Sequence, residues 1–167
     1  MKSLIFTFGI LITLLSSCKK TQTTLNELEG DWKIDRAELL DGPTGDSTFT
    51  DTHLKFSIGT CISDDNSLAG CQTSSIKIDD KTIFKEVLVQ YQKGGKSLSV
   101  SSLNQEANAE DMERKKASLF AGGYTIEELT KNTLVLKSQP INERDLGKFF
   151  FDYLDFKHSI RILRLKK

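Results

Sequence analysis

Apolar and polar residues alternate with a period of two through most of the chain, the signature of half-buried β-strands. Trp32, Ile34 and Arg36 share one face of a first strand, with Lys33, Asp35 and Ala37 on the other. A bulge near Ala37 is needed if Leu39 is to join the inner face. Leu54, Phe56, Ile58 and Thr60 alternate in a second strand that Cys61 ends, and Cys71 opens a third in which Ile76 and Ile78 face inward. Asp79-Asp80-Lys81 turns into a fourth, where Ile83, Val87, Val89 and Tyr91 share a face. Lys93-Gly94-Gly95-Lys96 is a hairpin turn, and Leu98 and Val100 mark a fifth strand.

From Asn104 to Phe120 the period changes towards 3.6, with Ala109, Met112, Leu119 and Phe120 set among charged residues. This predicts a short helix capped by Asn104 or Asn108. It is read either as a lid across a barrel mouth or as a charged insertion on the outside. Strand periodicity resumes at Tyr124–Leu129 and Thr133–Lys137. Lys148–Phe156 reads as an aromatic strand apolar on both faces, with Phe151 turned inward. Its outer face is covered by the charged helix or meets a partner. Ser159–Leu165 closes against the first strand. The expected fold is all-β, an antiparallel up-and-down β-barrel of about eight strands with a short helical insertion.

The first residues are an address. Lys2 precedes an apolar run over 4–15 that is too short to span a membrane comfortably, the form of a secretory signal. Leu15-Ser16-Ser17-Cys18 resembles the bacterial lipobox, which implies cleavage before Cys18 and acylation of its sulfur. The expected organisation is a signal peptide over 1–17, a polar lipid-anchored tether over 18–24, and one barrel domain over 25–167. With Cys18 lipidated, Cys61 and Cys71 are an even pair in an oxidising compartment and are expected to form a disulfide.

Gly30-Asp31-Trp32 resembles the Gly-x-Trp entry of lipocalins and the wider calycin group, and the chain as a whole resembles bacterial lipocalin-like lipoproteins. The resemblance implies a barrel closed by Gly30 and Trp32, with an arginine of the last strand, here Arg164, covering the tryptophan. It also implies a small apolar ligand inside, lined by Ile34, Arg36, Phe56, Ile58, Ile76, Val87, Val89, Tyr91 and Phe151. For Arg36, a strand-end position in solvent is the competing reading. No acidic cluster follows Cys18, which in such lipoproteins points to the periplasmic face of the outer membrane.

The 23 basic and 23 acidic residues balance, so no nucleic-acid surface is expected. His53 and His158 lack metal-ligand spacing, and Gly-x-Ser-x-Gly, P-loop and zinc-protease motifs are missing from the sequence. Glu127 and Glu128 are strand neighbours and point to opposite faces. The expectation is therefore a binding protein without catalytic residues, cofactor or metal. Two modes are open: a carrier of a small apolar ligand, or a barrel filled by its own side chains that works through its surface as an envelope scaffold or an inhibitor of a hydrolase. Bulky inward phenylalanines favour the filled barrel. Ser57, Ser74 and Ser99, if inward, favour a cavity.

Overall fold

The computed structural model describes residues 24–42, 45–51, 53–63, 68–92, 96–105, 110–138, 140 and 159–167. The expected signal peptide, Cys18, nearly all of the tether, Phe151 and the aromatic stretch 148–156 lie outside the described residues. A one-turn helix, α1, covers 24–28. The strands are β1 (Gly30–Leu40), β2 (Ser47–Phe49), β3 (Leu54–Ile58), β4 (Cys61–Ser63), β5 (Leu68–Ile78), β6 (Lys81–Gln92), β7 (Ser97–Gln105), β8 (Gly122–Leu129), β9 (Thr133–Ser138) and β10 (Ile160–Lys166), with helix α2 (Asp111–Ala117) between β7 and β8.

β3 and β4 pair with β5 in one continuous register, and β2 pairs with β1 beyond β3, so β2, β3 and β4 act as one interrupted strand. Counted in that way, eight antiparallel strands follow one another around the sheet, and β10 closes it on β1. The up-and-down barrel expected from the alternation is therefore the observed fold. Closure removes the free sheet edges that would otherwise invite pairing with other chains.

Register shows which side chains meet inside. Trp32 lies opposite Phe56, Phe56 opposite Ile76, and Ile76 opposite Phe84, and all four are fully buried. A second inner row runs Ala69, Tyr91, Leu98, Tyr124, Ser138. A third runs Ile126, Leu136, Leu163, Ala37. The core is thus built from directly opposed cross-strand pairs.

Bulges decide which residues join these rows. β1 shifts register between Ile34 and Arg36, so Ala37 turns inward and Arg36 outward. The bulge falls two residues earlier than the alternation suggested. In β6, Ile83 and Phe84 are consecutive and both fully buried, at a register irregularity against β5, and Glu86 has a φ of 57°. Phe84 therefore precedes Val87 and Val89 on the inner face although its parity in sequence differs from theirs.

The helix begins later than expected. β7 runs to Gln105, and Asn104 is paired with Lys85 as a strand residue. The N-cap of α2 is Glu110, in a capping box with Glu113, whose Oε2 accepts the Glu110 N–H at 2.9 Å. After α2, Ser118–Phe120 forms a 3-10 turn leading into β8.

Cys61 and Cys71 are opposed across β4 and β5 and form the expected disulfide. The bridge closes a loop of sequence separation 10. Reduction, or replacement of both cysteines by alanine, is expected to lower stability by about 2 to 3 kcal/mol. Thermal melts with and without reductant check this, with an expected drop of roughly 5 to 10 °C.

Candidate functional site

The meander alternates direction, so the Gly30 end of β1 and the α2 connection between β7 and β8 lie at opposite ends of the barrel. Among the described residues, buried side chains occupy each end. At the first, Gly30 enters β1 at a φ of 123°, a conformation that a side chain would strain. Trp32 follows it, fully buried, and donates its indole N–H to the Leu28 carbonyl of α1 at 2.8 Å. The cation over its ring is Lys167, with Nζ 4.6 Å from the centroid, and not Arg164. The same ammonium donates to the Glu27 carbonyl at 2.9 Å. Burial pulls Lys167 below its ordinary pKa, and the carboxylates of Glu27 and Glu29 oppose that shift.

Arg164 lies on the outside. In β10 the buried residues are Arg161, Leu163 and Leu165, which leaves Arg164 exposed and opposite Arg36 of β1. Arg36 Nε and Arg164 Nε both reach Glu38 Oε1, at 3.2 and 3.4 Å. Arg164 does not hold the role expected of it at the tryptophan, and of the two readings of Arg36 the solvent position holds and the lining does not. Alternation from Leu165 sends Arg164 outward, and the β1 bulge does the same to Arg36.

The opposite end is closed by the segment after α2. Ala117, Ser118, Leu119, Phe120 and Ala121 are all buried, and the Phe120 ring lies 4.9 Å from Phe56, tilted by 33°. The insertion is thus a plug whose charged half stays outside. Outside, Lys81 pairs with Glu113 at 2.6 Å and Lys116 with Asp51 at 3.2 Å, linking α2 to β6 and to the segment before β3. The Lys81 hydrogen bond holds the Glu113 carboxyl below the usual range. Inside, Arg161 is fully buried. Its Nη1 donates to the Leu119 and Ala121 carbonyls at 3.0 and 2.6 Å, its Nε donates to Ser138 Oγ at 3.1 Å, and its guanidinium lies 5.2 Å from the Tyr124 ring centre. Arg161 Nη2 is buried without a hydrogen-bond partner among the described residues. Tyr124 donates its hydroxyl to the Leu119 carbonyl at 2.7 Å. Arg161 and Tyr124 together clamp the plug by its backbone.

Burial of Tyr124 pushes its phenol up to about 12, against the opposing pull of the Arg161 charge. An unfolded chain loses that proton near pH 10. The stabilisation is therefore complete below pH 10 and is lost as pH rises from 10 towards 12, on the order of 2 kcal/mol in total. Tyrosinate absorbance is expected to show the Tyr124 phenol titrating late, coincident with alkaline unfolding, with Tyr91 also shifted upward by its burial.

Among the expected lining residues, Ile34, Phe56, Ile58, Ile76, Val87, Val89 and Tyr91 are all buried in the core. Phe84 and Arg161 join them without having been marked by the sequence pattern, as do Phe120 of the insertion and Tyr124 of the strand after it. Ser57 lies opposite outward Asp31, and Ser99 lies opposite exposed Gln90 and Gly123. Only Ser74 of the three serines is buried, and its Oγ accepts the Gly59 N–H at 3.1 Å. The large rings are inside and two of the three small residues are outside.

The outer wall has a concavity of about 400 Å³ over β6 to β9. Register arranges its outward-facing lining in two rows, with the buried Leu98 and Tyr124 beneath them. One runs Gln92, Ser97, Thr125, Lys137, and the other Gln90, Ser99, Gly123. Short side chains form the floor, with the two glutamines on one side and Lys137 on the other. Among the described residues, no group of three or more His, Cys, Asp or Glu side chains is placed to hold a metal ion. His53 is exposed and hydrogen-bonded to Asp79. No family model, curated protein or solved structure matches the chain.

Proposed function

We propose that this chain is a non-enzymatic, lipid-anchored protein of the bacterial envelope whose lipocalin-like barrel is filled by its own side chains and acts by binding through its outer face. The role is that of an envelope scaffold or an inhibitor of a hydrolase. The anchor rests on the Leu15-Ser16-Ser17-Cys18 sequence, and the periplasmic face of the outer membrane on the uncharged-to-basic stretch after it. The observation that carries the surface reading is the layer of Trp32, Phe56, Phe84 and Phe120, all fully buried, in an eight-stranded barrel. A barrel of that strand number is just wide enough for side chains to fill it. Both ends are corked, so an apolar cargo would have to displace core residues.

A second reading, a carrier of a small apolar ligand, draws support from Arg161. Its Nη2, unpartnered among the described residues, could meet the acidic head of an amphiphile inside the barrel. Native mass spectrometry of the full-length chain, purified in mild detergent from its own host, separates the two. The surface reading predicts the mass of the lipidated chain with no stoichiometric adduct, unchanged by a panel of fatty acids and isoprenoids. A one-to-one lipophilic adduct that returns on titration would establish the carrier.

A further inference from the structure

We infer that the concavity over β6 to β9 is the binding site of this outer face, and that it takes an extended, acidic segment of a protein partner. The inference rests on the surface-acting reading given above and names the partner chemistry for it. The site is a depression of about 400 Å³, within the size range of clefts that enclose a ligand, and it stands on four hydrogen-bonded strands. Part of its floor is bare backbone. Gly123 occupies an exposed position in β8, and a Cβ built there meets nothing within 4 Å. Neither strain nor crowding requires glycine at that position, and glycine within a strand sacrifices both side-chain packing and chain entropy. What it provides is close approach of another molecule to the sheet.

The chemistry of the walls selects the class. Gln90 and Gln92 present carboxamides that both donate and accept, and Ser99 adds a hydroxyl, a set matched to peptide N–H and C=O groups. Among the described residues, Lys137 is the one charged group in the lining and has no ion-pair partner, so a carboxylate is the charge that the site complements. The Tyr124 ring faces the Arg161 guanidinium and is buried, so the cleft offers no aromatic face on which a sugar ring could stack.

The test pans a random peptide library, displayed on phage, against the full-length chain, and measures selected peptides on two variants. Gly123→Trp fills the depression from an open, unstrained position and keeps the fold, as circular dichroism and the thermal midpoint check. Lys137→Glu reverses the one charge. The inference expects selected peptides to be enriched in Asp and Glu, to lose binding to Gly123→Trp, and to weaken about tenfold or more on Lys137→Glu, equivalent to about 1.4 kcal/mol. Peptides that bind Gly123→Trp as well as the parent would overturn the cleft while leaving a surface-acting barrel intact. Recovery of no peptide overturns the inference, as does selective binding of oligosaccharides that Gly123→Trp abolishes. The lipophile titrations bear on the filled barrel alone, so failure of that reading is recognised separately.

Discussion

Trp32→Ala is expected to destabilise the barrel by about 3 to 5 kcal/mol, the range for removing a large aromatic side chain from a packed core. The side chain is fully buried, lies opposite Phe56, and holds α1 through the 2.8 Å bond to the Leu28 carbonyl. Truncation removes the ring from the inner row and leaves that carbonyl without its donor, at a site where Leu25 and Leu28 are themselves buried. Since typical stabilities are about 5 to 15 kcal/mol, such a loss takes a large fraction of the total. Denaturant unfolding followed by far-ultraviolet circular dichroism measures it. Trp32→Phe, which keeps most of the apolar area but not the donor, should fall well short of the alanine value, and equal losses would show that the ring's volume contributes little.

Phe120→Ala is expected to cost a similar 3 to 5 kcal/mol and also to change what the barrel can do. Phe120 sits on Phe56 at 4.9 Å within the plug that Arg161 and Tyr124 hold by its carbonyls. With the backbone of the plug still clamped, the segment cannot collapse fully into the space left by the ring, so an apolar cavity forms beside Phe56. Cavities of that kind stay dry and accept small apolar molecules. The variant is therefore expected to unfold at lower denaturant and to gain binding of a probe such as benzene, recovering part of the lost stability by mass action. If the wild-type chain already bound the probe as well as the variant does, the interior would not be filled by Phe120.

Particular residues show how far the sequence could be read. The alternation in Leu54–Ile58 and in Val87–Tyr91 predicts the burial found there, because a strand with one covered face has a fixed period. The cysteine pair was legible by counting, once Cys18 was set aside for lipid. Errors arise where one extra residue resets the period. The bulge between Ile34 and Arg36 exchanges the expected sides of Arg36 and Ala37, and the irregularity at Ile83–Phe84 adds an inner phenylalanine that simple alternation sends outside. Such bulges in β1 and β6 involve no glycine, so composition does not mark them. In β10, Ile160, Ile162, Leu163 and Leu165 fit either phase, and only pairing with β1 and β9 places Arg161 inside and Arg164 outside.

The plug and the cleft differ in legibility for a related reason. Leu119 and Phe120 are apolar at the end of a charged segment, which suggests docking but not where. Their position follows from the β7 to β8 connection crossing the barrel mouth. The cleft depends on which small residues of four strands fall into the same outward rows, and a shift of one residue in any strand would disperse them. Gly123 precedes the strand that alternation starts at Tyr124, so in sequence it reads as a boundary, and only pairing with Ser99 places it inside β8.

The central claim is that the interior is full and the outer face is where binding occurs. Its most direct test follows the indole N–H resonance of Trp32, the only tryptophan in the chain, by two-dimensional NMR while oleate, retinol and an isoprenoid alcohol are added in turn to the full-length protein in mild detergent. A filled barrel predicts that this signal keeps its position and intensity throughout, because the group stays bonded to Leu28 in a sealed core. A saturable shift with one-to-one stoichiometry would place a ligand among the core rings and contradict the account.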